Sequence, residues 1–111
     1  MKANELRIGN WVETFEGVIQ IQNGWEIDEG NECQPIQLTE EWLIRFGFDE
    51  IEMSIPVAYK TKSGFRIKED QRGYWMQYKY GTVIIKHVHQ LQNLYFALTG
   101  EELTIKTIDH K

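Results

Sequence analysis

The side chains of this sequence that could hold a metal ion are three histidines and a single cysteine. His87 and His89 are two positions apart, a spacing that places two ligands on one face of a strand. Cys33, His110 or a carboxylate could then supply the other two ligands of a tetrahedral zinc site. However, the spacing matches no closed zinc motif, and His89 falls within a predicted helix, where such neighbours do not face each other. We therefore expect no metal and no cofactor.

Other catalytic and ligand-binding chemistry finds little support in the sequence. The segment Asp28–Glu32 is rich in oxygen ligands, but it lacks the calcium loop of about twelve residues with a distal glutamate. No serine or cysteine has a histidine in a context typical of nucleophilic catalysis, and the carboxylates are scattered. We predict that the protein is not an enzyme. A small nucleotide-acting enzyme is the catalytic alternative.

Basic residues alternate along a stretch that is predicted to form adjacent strands. Alternate side chains of a strand share one face, so a simple meander would place six residues side by side: Lys60, Lys62, Arg66, Lys68, Trp75 and Lys79. Trp75 would then lie among cations, on the face opposite Ile67 and Met76. Such cations can bind an anion while the ring stacks on a base. The alternative is a solvated face in which lysine stems shield one tryptophan.

The segment Val83–Leu103 predicts a buried strand followed by an amphipathic helix that ends at Gly100. An apolar stripe, expected to pack on the sheet with Trp42, Phe46 and Ile84, is formed by Val88, Leu91, Leu94, Tyr95 and Leu98. Four residues lie off this stripe and could form a partner or homodimer surface: His89, Gln92, Asn93 and Phe96. Alternatively, a neighbouring part of the chain covers them.

The remaining elements are also predicted by local patterns. Strands are predicted at Leu6–Thr14 and Gly17–Gln22, with Asn23–Gly24 as a hairpin turn. A first helix is predicted from Thr39 to Phe46.

The stretch Pro56–Lys86 predicts a four-strand meander in which Val83–Ile85 is covered on both faces. The fold class is α+β, an antiparallel β-meander sheet with two short-to-medium helices packed on it. We expect a single domain over residues 1–111.

Charge is distributed unevenly along the chain. Residues 1–55 hold twelve acidic and three basic side chains, a net −9, whereas residues 56–111 hold five and nine, a net +4. The overall charge of −5 argues against a general binder of duplex DNA. The single cysteine fits a reducing compartment, and neither a secretory signal nor an apolar run of about 20 residues is present. We expect a cytoplasmic protein with no membrane partner.

Three segments give the chain a resemblance to known sequences: LRIGNWV, PIQLTEEWLIRFGF and HVHQLQNLYFALTGEEL. In this order they resemble a group of small uncharacterised proteins encoded by Bacteroides-type bacteria and their phages or mobile elements. The resemblance implies a phage or prophage accessory role, and it implies no activity or site. A specific binding function could reside in Glu50–Lys79, which these segments do not cover.

These observations together predict a small cytoplasmic accessory protein that acts by stoichiometric binding. Its partner would be a host protein or a small anionic ligand, bound through the cations between Lys60 and Lys79. The alternative is a nucleic-acid-binding module that uses the same cations with Trp75 as a stacking residue.

Overall fold

The chain has the α+β class that its sequence predicts. The computed structural model describes residues 6–14, 17–22, 34–53, 57–61, 64–78 and 81–105. Its elements are β1 (Trp11–Thr14), β2 (Gly17–Gln20), α1 (Glu40–Arg45), β3 (Asp49–Ile51), β4 (Val57–Lys60), β5 (Arg66–Asp70), β6 (Gly73–Tyr78), β7 (Gly81–Ile85) and α2 (Val88–Thr99). The predictions made for Cys33, Lys62, Lys79, His110, Asn23–Gly24 and Asp28–Glu32 lie outside the described residues.

Two compact units can be distinguished in the chain. One is drawn from Met1–Gln37 and His87–Glu102, and the other from Leu38–Lys86 and Leu103–Lys111. The first unit is therefore built from two separate stretches of sequence, while the strands of the larger sheet all come from one stretch.

In the described part of the first unit, the elements are the antiparallel hairpin strands β1 and β2 and the longer helix α2. Strands β1 and β2 pair antiparallel, with Val12 opposite Ile19. Val12 is fully buried against Ile21. Helix α2 packs on β1 and ends as predicted at Gly100, which adopts a φ of 77° and donates its N–H to the Phe96 carbonyl at 2.8 Å.

The buried face of α2 differs from the predicted stripe. Leu91 and Tyr95 are buried as expected, but Leu94 is only partly buried and Leu98 is 39% exposed. In their place, His89 and Gln92 are buried. The helix thus turns a partly polar side inward, because Gln92 forms hydrogen bonds with the backbone of Gly9 and Trp11.

The second unit contains a five-stranded antiparallel meander with the strand order β3-β4-β5-β6-β7. The sequence predicted four strands, and the additional strand is β3, whose Asp49 is the register partner of Lys60. The core of this unit contains aromatic and aliphatic side chains from α1, from the residues that follow it and from one face of the sheet, among them Leu43, Phe46, Phe48, Tyr59, Ile67 and Ile85.

Helix α1 is short because the residue after its C-cap cannot continue it. Gly47 has a φ of 92°, and its N–H donates to the Ile44 carbonyl at 2.9 Å. The Phe48 N–H donates to the Leu43 carbonyl at 2.9 Å. This pair of bonds is the Schellman arrangement that satisfies the last carbonyls of a helix, and it leads the chain directly into β3.

The prediction that Val83–Ile85 is covered on both faces is wrong. Strand β7 lies at the edge of the sheet and pairs with β6 alone among the described strands. Val83 and Ile84 are each 38% exposed, and only Ile85 is buried. A continuous apolar run therefore marks an edge strand here.

Candidate functional site

The predicted basic residues that the structure describes lie on one face of the meander. Lys60 is directly opposite Arg66 across β4 and β5, and Lys68 is directly opposite Trp75 across β5 and β6. Because side chains alternate along a strand, Ile67 lies on the opposite face. We call the surface formed by Lys60, Arg66, Lys68 and Trp75 the basic face.

A mostly apolar row of residues crosses the sheet next to Lys60 and Arg66. Successive register partners run across all five strands: Ile51, Ala58, Lys68, Trp75 and Ile84. Lys68 is the one charged member of this row, at its centre. Lys60 and Arg66 are exposed beside it, whereas Lys68 is partly buried. The basic face therefore combines two protruding cations with a third that lies along apolar neighbours.

Trp75 is covered by cationic side chains of its own sheet. Its side chain is only 8% exposed. The Nζ of Lys68 lies 5.3 Å from the centre of a Trp75 ring, and the Cζ of Arg72 lies 4.5 Å from it. Both distances are within the range of cation–π attraction. The ring is thus part of the packed structure, and its cations stabilise it in place.

Arg72 is held by the turn between β5 and β6. Its Nη2 donates to Oδ2 of Asp70 at 2.9 Å, and its backbone N–H donates to Oδ1 at 2.8 Å. These hydrogen bonds lower the pKa of the Asp70 carboxyl. A depression of about 290 Å³ at this turn is lined by Asp70, Gln71 and Arg72. The charges of Asp70 and Arg72 neutralise each other in their ion pair.

Among the residues that the structure describes, the three cations of the basic face have no ion-pair partner. Ion pairs in the described part of the chain join Arg7 to Glu102, Arg45 to Glu41 and Arg72 to Asp70. Lys60 has Asp49 as its other cross-strand neighbour, but no ion pair forms between them. Like charges directly opposite each other disfavour the pairing of two strands, and Lys60 and Arg66 are such a pair.

The second predicted surface, on helix α2, is largely buried. His89 and Gln92, which lie off the predicted apolar stripe, are buried, so for these two the alternative holds, in which another part of the chain covers them. The Nε2 of Gln92 donates to the Gly9 carbonyl at 2.8 Å, and its Oε1 accepts from the Trp11 N–H at 2.8 Å. A glutamine amide can satisfy a backbone donor and a backbone acceptor together, which explains why this polar residue faces inward.

Asn93 belongs to the same polar contact between the helix and the N-terminal segment. The Nδ2 of the fully buried Asn10 donates to the Asn93 Oδ1 at 2.9 Å. Asn10 also accepts the Arg7 N–H at 2.8 Å. We call the set Arg7, Asn10, Gln92, Asn93 and Glu102 the polar clamp.

Phe96 is the one residue of the predicted helix surface that is well exposed, at 43%. The guanidinium of Arg7 lies over its ring at 4.7 Å. The same guanidinium bonds the Gln92 carbonyl at 3.0 Å and pairs with Glu102. Phe96 therefore supports the polar clamp from outside, and the four predicted surface residues do not form one exposed patch.

The side chains of His87 and His89 lie next to each other. Their rings are stacked, with centres 5.9 Å apart and planes inclined by 12°. Among the residues that the structure describes, no three His, Cys, Asp or Glu side chains gather where they could hold a metal ion. His87 begins α2, and its backbone N–H donates to Oε1 of Gln90 at 3.0 Å, which is a helix-capping role.

Sequence patterns missed two features of these surfaces. Arg72 was not among the predicted site residues, although its place two residues after Asp70 could have indicated the observed ion pair. The polar clamp has no local signal, because Asn10 and Asn93 are 83 positions apart.

Comparisons with protein-family models, with curated proteins and with solved structures find no match to this chain. The helices in the described part of the chain are too short and too polar to cross a membrane.

Proposed function

We propose that this chain is a non-catalytic binding protein that contacts an acidic surface of a host protein through the basic face. It would act in the cytoplasm, as an accessory protein of the phage or mobile-element type that the resemblance implies. The observation that carries the proposal is the pair Lys60 and Arg66, which are exposed, directly opposite each other and without an ion-pair partner in the described residues.

Binding of carboxylates would remove an unfavourable term from the free protein. Two cations opposite each other destabilise adjacent strands, and an acidic partner would offset that repulsion. The planar guanidinium of Arg66 can form paired hydrogen bonds with a carboxylate. Lys60 adds a point charge beside it, and Lys68 a third positive charge one row away.

The position of these cations on the face of a sheet favours a protein partner over a small anionic ligand. Ligand pockets are concave and bury most of the ligand, whereas these cations stand on the face of a sheet. Ile84, 38% exposed at one end of the apolar row, offers the apolar contact that the centre of a protein interface needs. Lys60 and Arg66, next to a row that ends at the exposed Ile84, thus have the composition of a protein-binding surface.

The nucleic-acid alternative requires a rearrangement. Trp75 is 8% exposed, so a base could stack on it only if Lys68 or Arg72 moved away from the ring. The net charge of −5 also opposes approach to a polyanion. The alternative therefore has weaker support than the protein partner.

Charge reversal on the basic face tests the proposal. Lys60→Glu and Arg66→Glu, singly and together, are used as bait in the native host, with captured proteins identified by mass spectrometry. Arg45→Glu is the control for each single variant, because it makes the same change of net charge on α1, although it also removes the ion pair with Glu41. Surface changes of this kind alter stability by no more than about 0.5 kcal/mol, which circular dichroism and thermal unfolding verify.

The expected result is one protein captured by the wild type and by Arg45→Glu, and lost from the double variant. Equal capture by the folded double variant would overturn the proposal. A labelled single-stranded oligonucleotide is titrated in parallel at several salt concentrations. Tight binding that weakens steeply with salt, and is lost in the double variant, would instead establish the nucleic-acid alternative.

A further inference from the structure

The two edges of the five-stranded sheet differ in length and in charge. Strand β3 is three residues long and includes the exposed acidic residues Asp49 and Glu50. Strand β7 is five residues long, with the sequence GTVII. Short length and charge protect an edge strand from pairing with another chain, whereas a long uncharged edge invites it. Strand β3 has this protection. Strand β7 lacks it, since in the described part of the chain the backbone that bonds on its outer side, at Leu38, lies beyond its last residue.

The backbone of β7 has hydrogen-bonding groups that point away from the sheet. The carbonyl of Lys86, directly after β7, accepts the N–H of Leu38 at 3.0 Å, and Leu38 lies outside β6. Because alternate residues of a strand direct their backbone groups to the same side, those of Thr82 and Ile84 also point away from β6. Among the described residues, none outside β6 bonds to them.

The side chains of β7 are suited to pairing with an identical strand. Val83 and Ile84 lie on opposite faces of the sheet, and each is 38% exposed. An antiparallel pair centred on Val83 uses all five residues of each strand. It places Thr82 opposite the partner's Ile84 and brings no charged side chains together. Both exposed apolar residues would become more buried.

We propose that β7 pairs with β7 of a second copy of this chain, which joins two meanders into one continuous antiparallel sheet. A second copy supplies a strand of matching length whose outward donors and acceptors complement those of the first. The two-fold axis lies perpendicular to the sheet, so the basic faces of both copies are on the same side. The proposal does not rest on the proposed function, and it puts the homodimer contact on β7 rather than on α2.

Proline at Thr82 tests the backbone pairing. Thr82→Pro removes an outward N–H, while the ladder to β6 uses the neighbouring residues, and proline is tolerated on edge strands where the N–H faces solvent. Sedimentation equilibrium should give the wild type and the control Thr82→Ala a mass rising with concentration toward twice 13.2 kDa. Thr82→Pro should remain at 13.2 kDa. If Thr82→Pro does not fold, Val83→Lys serves as the test variant instead. It would place like charges opposite each other in the dimer, so it should also remain at 13.2 kDa.

A cysteine pair tests the register. In a Cys33→Ser background, Val83→Cys would face its own copy at about 4.5 Å between Cα atoms, within the range of a disulfide. Ile84→Cys is the control, because it is equally exposed and would face Thr82. We expect covalent dimers from the first and few from the second. Equal cross-linking by both would overturn this register, and a wild-type chain that stays monomeric up to about 1 mM would overturn the dimer.

Discussion

The hydroxyl of Tyr59 donates a hydrogen bond of 3.0 Å to Oε1 of Glu69. Burial raises the pKa of Tyr59 most, and this hydrogen bond and the charge of Glu69 raise it further. Burial also raises the pKa of Tyr74 to about 12, with Glu69 as the next cause. The two rings are neighbours, with centres 6.2 Å apart. One carboxylate therefore opposes the ionisation of two adjacent phenols.

Stability should fall steeply in alkali because of this arrangement. Both phenols have folded-state pKa values above the ordinary 10.0. Their contribution to stability is present below pH 10 and is lost as the pH rises through the folded values, since the unfolded chain then releases protons that the folded chain retains. The urea midpoint, measured from about pH 9 to about pH 12, should therefore drop. Tyr59→Phe should make the drop shallower, and an identical slope in that variant would contradict this account.

The leucines of α2 should differ in their contributions to stability. Leu91 is fully buried, so Leu91→Ala should lower the free energy of unfolding by about 2–5 kcal/mol, the range for truncating a core leucine. Leu94 is only partly buried, and Leu94→Ala should have a smaller effect. Urea denaturation of the two variants gives the comparison. A larger loss for Leu94→Ala would mean that the inward face of the helix is assigned incorrectly.

Gln92 should be as important to stability as an apolar core residue. Gln92→Ala removes the acceptor of the Trp11 N–H and the donor to the Gly9 carbonyl, and a buried polar group that loses its partner costs about 1–3 kcal/mol. Gln77→Ala is the control, because Gln77 is exposed. Hydrogen exchange of the Trp11 amide should accelerate in the first variant alone. Unchanged exchange in Gln92→Ala would show that the amide does not depend on this bond.

Local patterns predicted the features that depend on neighbouring residues. Alternation along β5 and β6 was enough to place Lys68 and Trp75 on one face and Ile67 on the other, because strand periodicity is a backbone property. The end of α2 followed in the same way from Gly100. These features need no knowledge of distant parts of the chain.

The features that the sequence did not reveal depend on distant residues. The apolar run Val83–Ile85 suits a central strand or an edge strand, and the choice is made by which other strands lie beside it. Gln92 reads as polar and outward-facing until the backbone of Gly9 and Trp11 is placed against it, 83 and 81 positions away. The coverage of Trp75 by Arg72 depends in turn on the geometry of the turn between two strands.

The polar clamp has a consequence for the order in which a nascent chain can fold. Its N-terminal members leave the ribosome long before Gln92 does, so Asn10 and the Trp11 N–H wait for their partners while the intervening residues are synthesised. Strands β3 to β7 pair with their sequence neighbours and can form as they emerge, since local pairing is faster than closing a long loop. We therefore expect the middle of the chain to fold first. The contacts between the N-terminal segment and α2 can be completed only after translation has passed residue 102.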